Sequence, residues 1–135
     1  MKASEVMVTE PIVAVANASA TEVAIMFRSR NISVVPVVDD HRTRRLLGVV
    51  SDRDLVTRVL APHADPDTMR ADEIMRTDSC VVGPDTELDD FELQLNQDSS
   101  DSHLRATIIV VDSEHQVIGF ISRPENMVNI KILRR

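Results

Sequence analysis

The chain of 135 residues contains no tryptophan, no tyrosine and only three phenylalanines. Its core must be built from Val, Ile, Leu, Met and Ala. A planar ligand ring would be gripped by aliphatic side chains or backbone, because no Tyr or Trp is present to stack on it. Three glycines in the whole chain leave no Gly-rich loop to cradle a phosphate. The single cysteine, Cys80, excludes an intrachain disulfide and suits a reducing compartment. It lies in an apolar stretch and reads as a small core residue. Positive charge is in deficit, with 15 Lys and Arg against 22 Asp and Glu and a net charge of −7, which argues against general nucleic-acid binding. No apolar run is long enough to cross a membrane, and Met1 to Glu5 lacks the apolar stretch of a signal peptide. The expectation is a cytoplasmic protein with no nucleic-acid or membrane partner. His41, His63, His103 and His115 fall in loops without metal-ligand spacing, so no zinc site is expected. No nucleophile–base pair is evident either, so the chain is not expected to be an enzyme.

What is present is patterned. Ala3 to Met7 reads as a helical turn, and Ile12 to Val15 as a short strand. Ser19 with Glu22 three residues later is a capping box, and Val23, Met26 and Phe27 follow at helical spacing, which predicts a helix from Thr21 to about Arg30. Ser33 to Val38 is a β-branched run and reads as a buried strand. A polar hairpin loop, Asp39 to Arg45, leads to a second strand, Leu46 to Val50. Asp52 to Leu60 then reads as a helix with Leu55, Val56 and Val59 on one face. Pro62 and Pro66 mark Ala61 to Arg70 as a linker.

After the linker the pattern restarts. Ala71-Asp72-Glu73-Ile74-Met75-Arg76-Thr77 sets beside Ala3-Ser4-Glu5-Val6-Met7-Val8-Thr9, and Ile109-Val110-Val111-Asp112 beside Pro36-Val37-Val38-Asp39. Gly119-Phe120-Ile121-Ser122 matches Gly48-Val49-Val50-Ser51. The second copy carries an insertion in the polar stretch Asn96 to Arg105, read as a lengthened loop, and a shorter second hairpin. Residues 1–60 and 71–135 are therefore two repeats joined by the linker 61–70. A unit of about 60 residues is marginal alone, burying roughly 60% of its unfolded surface. Pseudo-two-fold pairing of the two sheets relieves this and leaves clefts between the halves.

The ordered set of these segments, occurring twice, resembles a pair of CBS domains, the Bateman module, in its stand-alone form. The resemblance implies an α+β fold: two β-α-β-β-α repeats packed sheet to sheet with pseudo-two-fold symmetry. It also implies a homodimer, commonly a flat disk, and a regulatory, non-catalytic module that senses an adenosyl ligand such as AMP, ADP or ATP. An unidentified protein target would receive the signal. The family's Ser/Thr-x-x-Asp motif falls on Ser51 to Asp54.

A strand that turns directly into a helix aims backbone N–H groups and a positive dipole end at whatever sits above the junction. One carboxylate can accept from both hydroxyls of a ribose, so Asp54 is the expected diol acceptor. The Ser51 hydroxyl and Arg53 would meet phosphate. Val34, Val35 and Pro36 would form one wall of an adenine slot, with Ile12 and Val13 as the other. The same four residues are also a capping motif in their own right, which needs no ligand. The second copy departs from the pattern: Ser122 is kept, Glu125 stands for Asp54, and Pro124 stands for Arg53, removing a donor and a charge. A second, weaker site would comprise Thr107, Ile108, Ser122 and Glu125, with Arg105 as a further polar contact. The rival reading is a dimerising scaffold with empty clefts. Arg42, Arg44 and Arg45 in the first hairpin read as solvated charges, and the methionines as core or interface filler.

Overall fold

The computed structural model describes residues 1–88 and 107–122. The order is α1 (Ala3–Val6), β1 (Ala14–Val15), α2 (Ala20–Arg30), β2 (Val34–Val38), β3 (Leu46–Ser51), α3 (Asp52–Leu55, continued as a π-wound turn Val56–Leu60), α4 (Ala71–Ile74), β4 (Cys80–Val82), β5 (Thr107–Val111) and β6 (Val117–Ser122). Two three-stranded sheets result, ordered β1-β2-β3 and β4-β5-β6. In each, the first pair is parallel and the second antiparallel. A register shift recurs at the same place in both hairpins, between Val37 and Val38 and between Val110 and Val111. The α+β fold with two equivalent sheets is thus present. The lengthened loop at 96–105, and the positions Pro124 and Glu125, lie outside the described residues.

The strands alternate as a pleated chain must, with successive side chains on opposite faces. Val35 and Val37 turn toward α2 and pack with Val23, Val50 and Val59. Val38 faces the other sheet and joins a cluster with Val13, Leu46, Val49, Ile109, Val111 and Val117. That cluster draws on both sheets and is the seam between the repeats. At one end of the seam the hairpins meet: the Leu46 N–H donates to the His115 carbonyl and the Val117 N–H to the Arg44 carbonyl. The first hairpin is held by Asp39, which accepts from the Thr43 hydroxyl at 2.7 Å and from the N–H groups of Arg45 and Asp40. The Thr43 bond leads in holding its pKa below the ordinary carboxylate value, aided by those backbone bonds.

The repeats also exchange their leading segments. Ala3 and Ser4 donate to the carbonyls of Thr86 and Pro84 in the second repeat. Ala71 and Asp72 donate to those of Ala18 and Ala16 in the first. Val8 bonds reciprocally with Phe120 on β6, and Arg76 with Val49 on β3. Each bond has its partner under the repeat. Ala3 accordingly sits in the core of the second sheet, and Ala71 and Ile74 in that of the first.

Several local expectations are refined. α2 begins one residue earlier, at Ala20, capped by the Ser19 hydroxyl on the Glu22 N–H. The first strand shortens to Ala14–Val15. The helix after β3 is not uniformly α: Val56–Leu60 is π-wound, with the Ala61 N–H reaching the Val56 carbonyl. The wider turn sends Val56 outward, 54% exposed, while Val59 stays buried at 2%. The linker is anchored: the N–H groups of Ala20 and Thr21 donate to the carbonyls of Met69 and Pro66. Cys80 is half-buried at the edge of the second core rather than inside it. Among the described residues no helix is long and apolar enough to cross a membrane.

The crossings explain two of the three glycines, neither of which has a positive φ. A methyl group at Gly48 would lie 2.5 Å from the Arg76 carbonyl oxygen and 2.9 Å from the Met75 sulfur. At Gly119 it would lie 2.6 Å from the Met7 sulfur and 2.8 Å from the Val8 carbonyl oxygen. At Gly83 it would meet only the Thr86 hydroxyl at 4.0 Å. Gly48→Ala and Gly119→Ala should therefore each destabilise by about 1–3 kcal/mol, the usual range for overpacking. Gly83→Ala should stay within about 0.5 kcal/mol. Urea melts followed by far-UV circular dichroism will read the difference.

Candidate functional site

Strand alternation decides which of the sequence-selected residues can meet. Val34 and Pro36 share the face of β2 that looks at the second repeat, and Thr107 and Phe120 look back from β5 and β6. Together with Ile12 and Ile32 they enclose a narrow cavity of ≈ 10 Å³. It opens into a cleft of ≈ 140 Å³ lined by Asn31, Ile32, Ser33, Val34, Thr107 and Phe120. Of the expected adenine wall, then, Ile12, Val34 and Pro36 line one continuous cleft, and Thr107, assigned to the second site, lines it too.

Three expected wall residues do not. Val35 is 0% exposed and packs toward α2, because it is odd where Val34 and Pro36 are even on the same strand. Ile108 is 1% exposed in the second core for the same reason relative to Thr107. Val13, next to Ile12, is buried in the seam between the sheets. All three support the cleft from behind.

Phe120, Ile32, Asn31 and Ser33 were not selected from sequence. Phe120 overturns the expectation that only aliphatic groups and backbone could face a planar ring. It stands where the first repeat has Val49, and that enlargement within an otherwise matched Gly-x-x-Ser segment was the available signal. Asn31 is placed by helix termination: it ends α2 in the left-handed conformation, with φ of 54°. That turn delivers Ile32 and Ser33 to the rim.

Ser51 and Asp54 are buried beside this cleft. Ser51 is the cross-strand neighbour of Val34, and the Asp52 N–H at the start of α3 donates to the carbonyl of Ser33. The capping box is complete. The Ser51 hydroxyl accepts from the Asp54 N–H at 3.3 Å, while Asp54 Oδ2 accepts from the Ser51 N–H at 2.8 Å and from its hydroxyl at 3.0 Å. Asp54 Oδ1 accepts from Arg76 Nε at 2.9 Å, with Arg58 Nε at 3.9 Å. The Asp54 side chain is wholly buried and that of Arg76 is 25% exposed. Arg58 also donates from Nη1 to the carbonyls of Ile74 and Met75, each at 3.2 Å. These are terminal acceptors of α4, where a cation is favoured.

Asp54, Arg58 and Arg76 thus form a clasp. The first repeat's strand–helix junction holds the second repeat's leading segment by charge. A buried carboxylate requires such partners. Arg76 was not selected from sequence, because its partner lies 22 residues away and only the exchange of segments brings them together. The twin of Arg76 is Val8, 51% exposed, so the first repeat's leading segment brings no cation to the crossing over β6. Arg53 is exposed at the start of α3. The side chain of Ser122, and Glu125 entirely, lie outside the described residues. Among the described residues no group of three or more His, Cys, Asp or Glu could hold a metal ion.

The clasp makes a measurable asymmetry. Arg76→Ala should cost about 2–3 kcal/mol, below the ~3–5 of a wholly buried pair because Arg76 is partly solvated and Arg58 remains. Val8→Ala, at the equivalent place, should cost within about 0.5 kcal/mol. Chemical denaturation of both variants checks this, and equal costs would refute the charge account.

Comparison with known proteins agrees with this architecture. Residues 3–61 match the family model of the CBS domain. Hypoxic response protein 1 of Mycobacterium tuberculosis is 29% identical over 105 residues, covering 78% of this chain and 68% of that protein. The crystal structure of Hypoxic Response Protein I, which carries two coordinated zinc ions, superimposes with a TM-score of 0.77 at 21% identity, covering 100% of this chain and 98% of that one. A CBS domain pair in complex with 5′-methylthioadenosine and S-adenosyl-L-methionine superimposes with a TM-score of 0.78 at 21% identity, with the same coverage.

Proposed function

For a chain that carries a CBS domain over residues 3–61 and folds as a CBS domain pair, we propose a regulatory, non-catalytic role: binding an adenosyl ligand between the repeats. The observation that carries this reading is the cleft at the seam. Its walls, Ile12, Val34, Pro36 and Phe120, are apolar and suited to a flat base, and its rim offers the hydroxyls of Ser33 and Thr107 and the amide of Asn31. A pocket with apolar walls and a few polar groups is the usual form of a small-molecule site. The ribose is assigned to Ser51 and Asp54, one cross-strand pair away, and phosphate to Arg53. A structurally similar CBS domain pair is known with adenosyl ligands bound, which supports the class of compound. AMP, ADP or ATP as the ligand would make the module a cytoplasmic energy sensor acting on a protein target. The second site, with Ser122 and Glu125, is assigned weaker binding.

Binding to the folded state alone raises the melting temperature by linkage. At millimolar AMP, ADP, ATP or S-adenosylmethionine, at least one should raise it by several degrees in a dye-based melt. Ile12→Asp, which places a charge in the cleft wall, should remove most of that shift. No shift with any of the four would leave the clefts without the proposed ligands.

A second feature supports self-association. α2, the π-wound turn and Pro66 border an apolar groove of ≈ 390 Å³ that includes Ala24, Ile25, Leu55 and Leu60. Within it Ile25 is 47% and Leu60 64% exposed, apolar surface that solvent disfavours. A homodimer through this face is the proposed assembly. Light scattering at micromolar concentration should give twice the chain mass, and Ile25→Glu with Leu60→Glu should halve it. A wild-type monomer would refute the dimer.

A further inference from the structure

The clasp occupies the very carboxylate to which the proposed ribose is assigned, and the following rests on that assignment. Asp54 has two oxygens. Oδ2 is taken by the N–H and hydroxyl of Ser51 within α3's own cap. Oδ1 is taken by Arg76 from the other repeat. With the side chain 0% exposed, a diol reaches Asp54 only by displacing one of these partners. Displacing Ser51 would dismantle the helix cap. Displacing Arg76 from Asp54 breaks their charge-assisted bond but leaves the cap intact, and the Arg76 side chain is already 25% exposed.

We infer that Arg76 is a gate on the first cleft: it competes with the ligand for Asp54, and its release reports occupancy to the second repeat. The backbone of Arg76 is what couples the two events. Its N–H and carbonyl both bond to Val49, at 2.8 Å each, and its side chain fastens the same crossing to α3. A ligand on Asp54 withdraws that fastening, and a seated Arg76 withdraws the ligand's acceptor. The coupling is reciprocal, as any linkage between two binding events must be. The twin crossing, carried by Val8, has no such cation, so the gate belongs to one cleft.

Isothermal titration of AMP and of S-adenosylmethionine into wild type, Arg76→Gln and Arg76→Lys tests the gate. Arg76→Gln should bind at least one probe about fivefold tighter or more, the lower end of ordinary coupling. Arg76→Lys, which keeps the charge but loses the Nε donor, should fall between. Unchanged or weaker binding by a folded variant overturns the gate and leaves the ligand reading standing. No binding by wild type or either variant overturns both. Binding by a variant alone upholds the gate. Should Arg76→Gln fail to fold, Arg76→Lys and hydrogen exchange on wild type decide. Saturating AMP or S-adenosylmethionine should speed exchange at the Val49 and Arg76 amides, and slowed or unchanged exchange there overturns the gate.

Discussion

The structure depends on the crossing of each repeat's leading segment over the other repeat's last strand. Val8 lies on β6 and Arg76 on β3, each through a reciprocal pair of backbone hydrogen bonds. Neither half completes its core without the other. Ala71 and Ile74 belong to the first sheet's cluster, and Ala3 to the second's. Two units that would be marginal alone become one cooperative body this way. The condition is steric. The crossings run so close to Gly48 and Gly119 that no side chain fits.

Near-symmetry of this kind makes each departure from it informative. The backbone bonds of the two crossings correspond one for one, whereas their side chains do not. One crossing is fastened by charge, Arg76 to the buried Asp54, and the other presents Val8 to solvent. A ligand changes the balance between two arrangements only by binding one better than the other. A buried ion pair bridging the repeats and adjoining a cleft is an element on which such a preference can act. The π-wound turn contributes as well, because it carries Arg58 onto the end of α4.

The exposed apolar groove along α2 has a related logic. α2 buries Ala20 and Val23 against its sheet yet keeps Ala24 and Ile25 apolar on the outside. A helix with apolar residues on both sides is built for two neighbours. One neighbour is the sheet, and the other, in the proposed dimer, would be a second copy of the chain.

The sequence by itself determined the repeat, the α+β class, the order of the elements and the capping box at Ser51, because these rest on local signals: apolar periodicity, cap residues and matched segments in the same order. It also selected Ile12, Val34, Pro36 and Thr107, which do share a cleft. Grouping Val35 with Val34, and Ile108 with Thr107, ignored the two-residue period of a strand, which was legible and sends neighbours to opposite faces. Phe120 was visible as an enlargement of Val49 but had no assigned direction until β6 was paired. Only the tertiary structure could seat Arg76 on Asp54, bring Arg58 to the α4 carbonyls and expose Val56. Those outcomes depend on the segment exchange and on a π-wound turn. Both are consequences of how two half-cores close on each other, and no local pattern in the chain encodes a contact made between them.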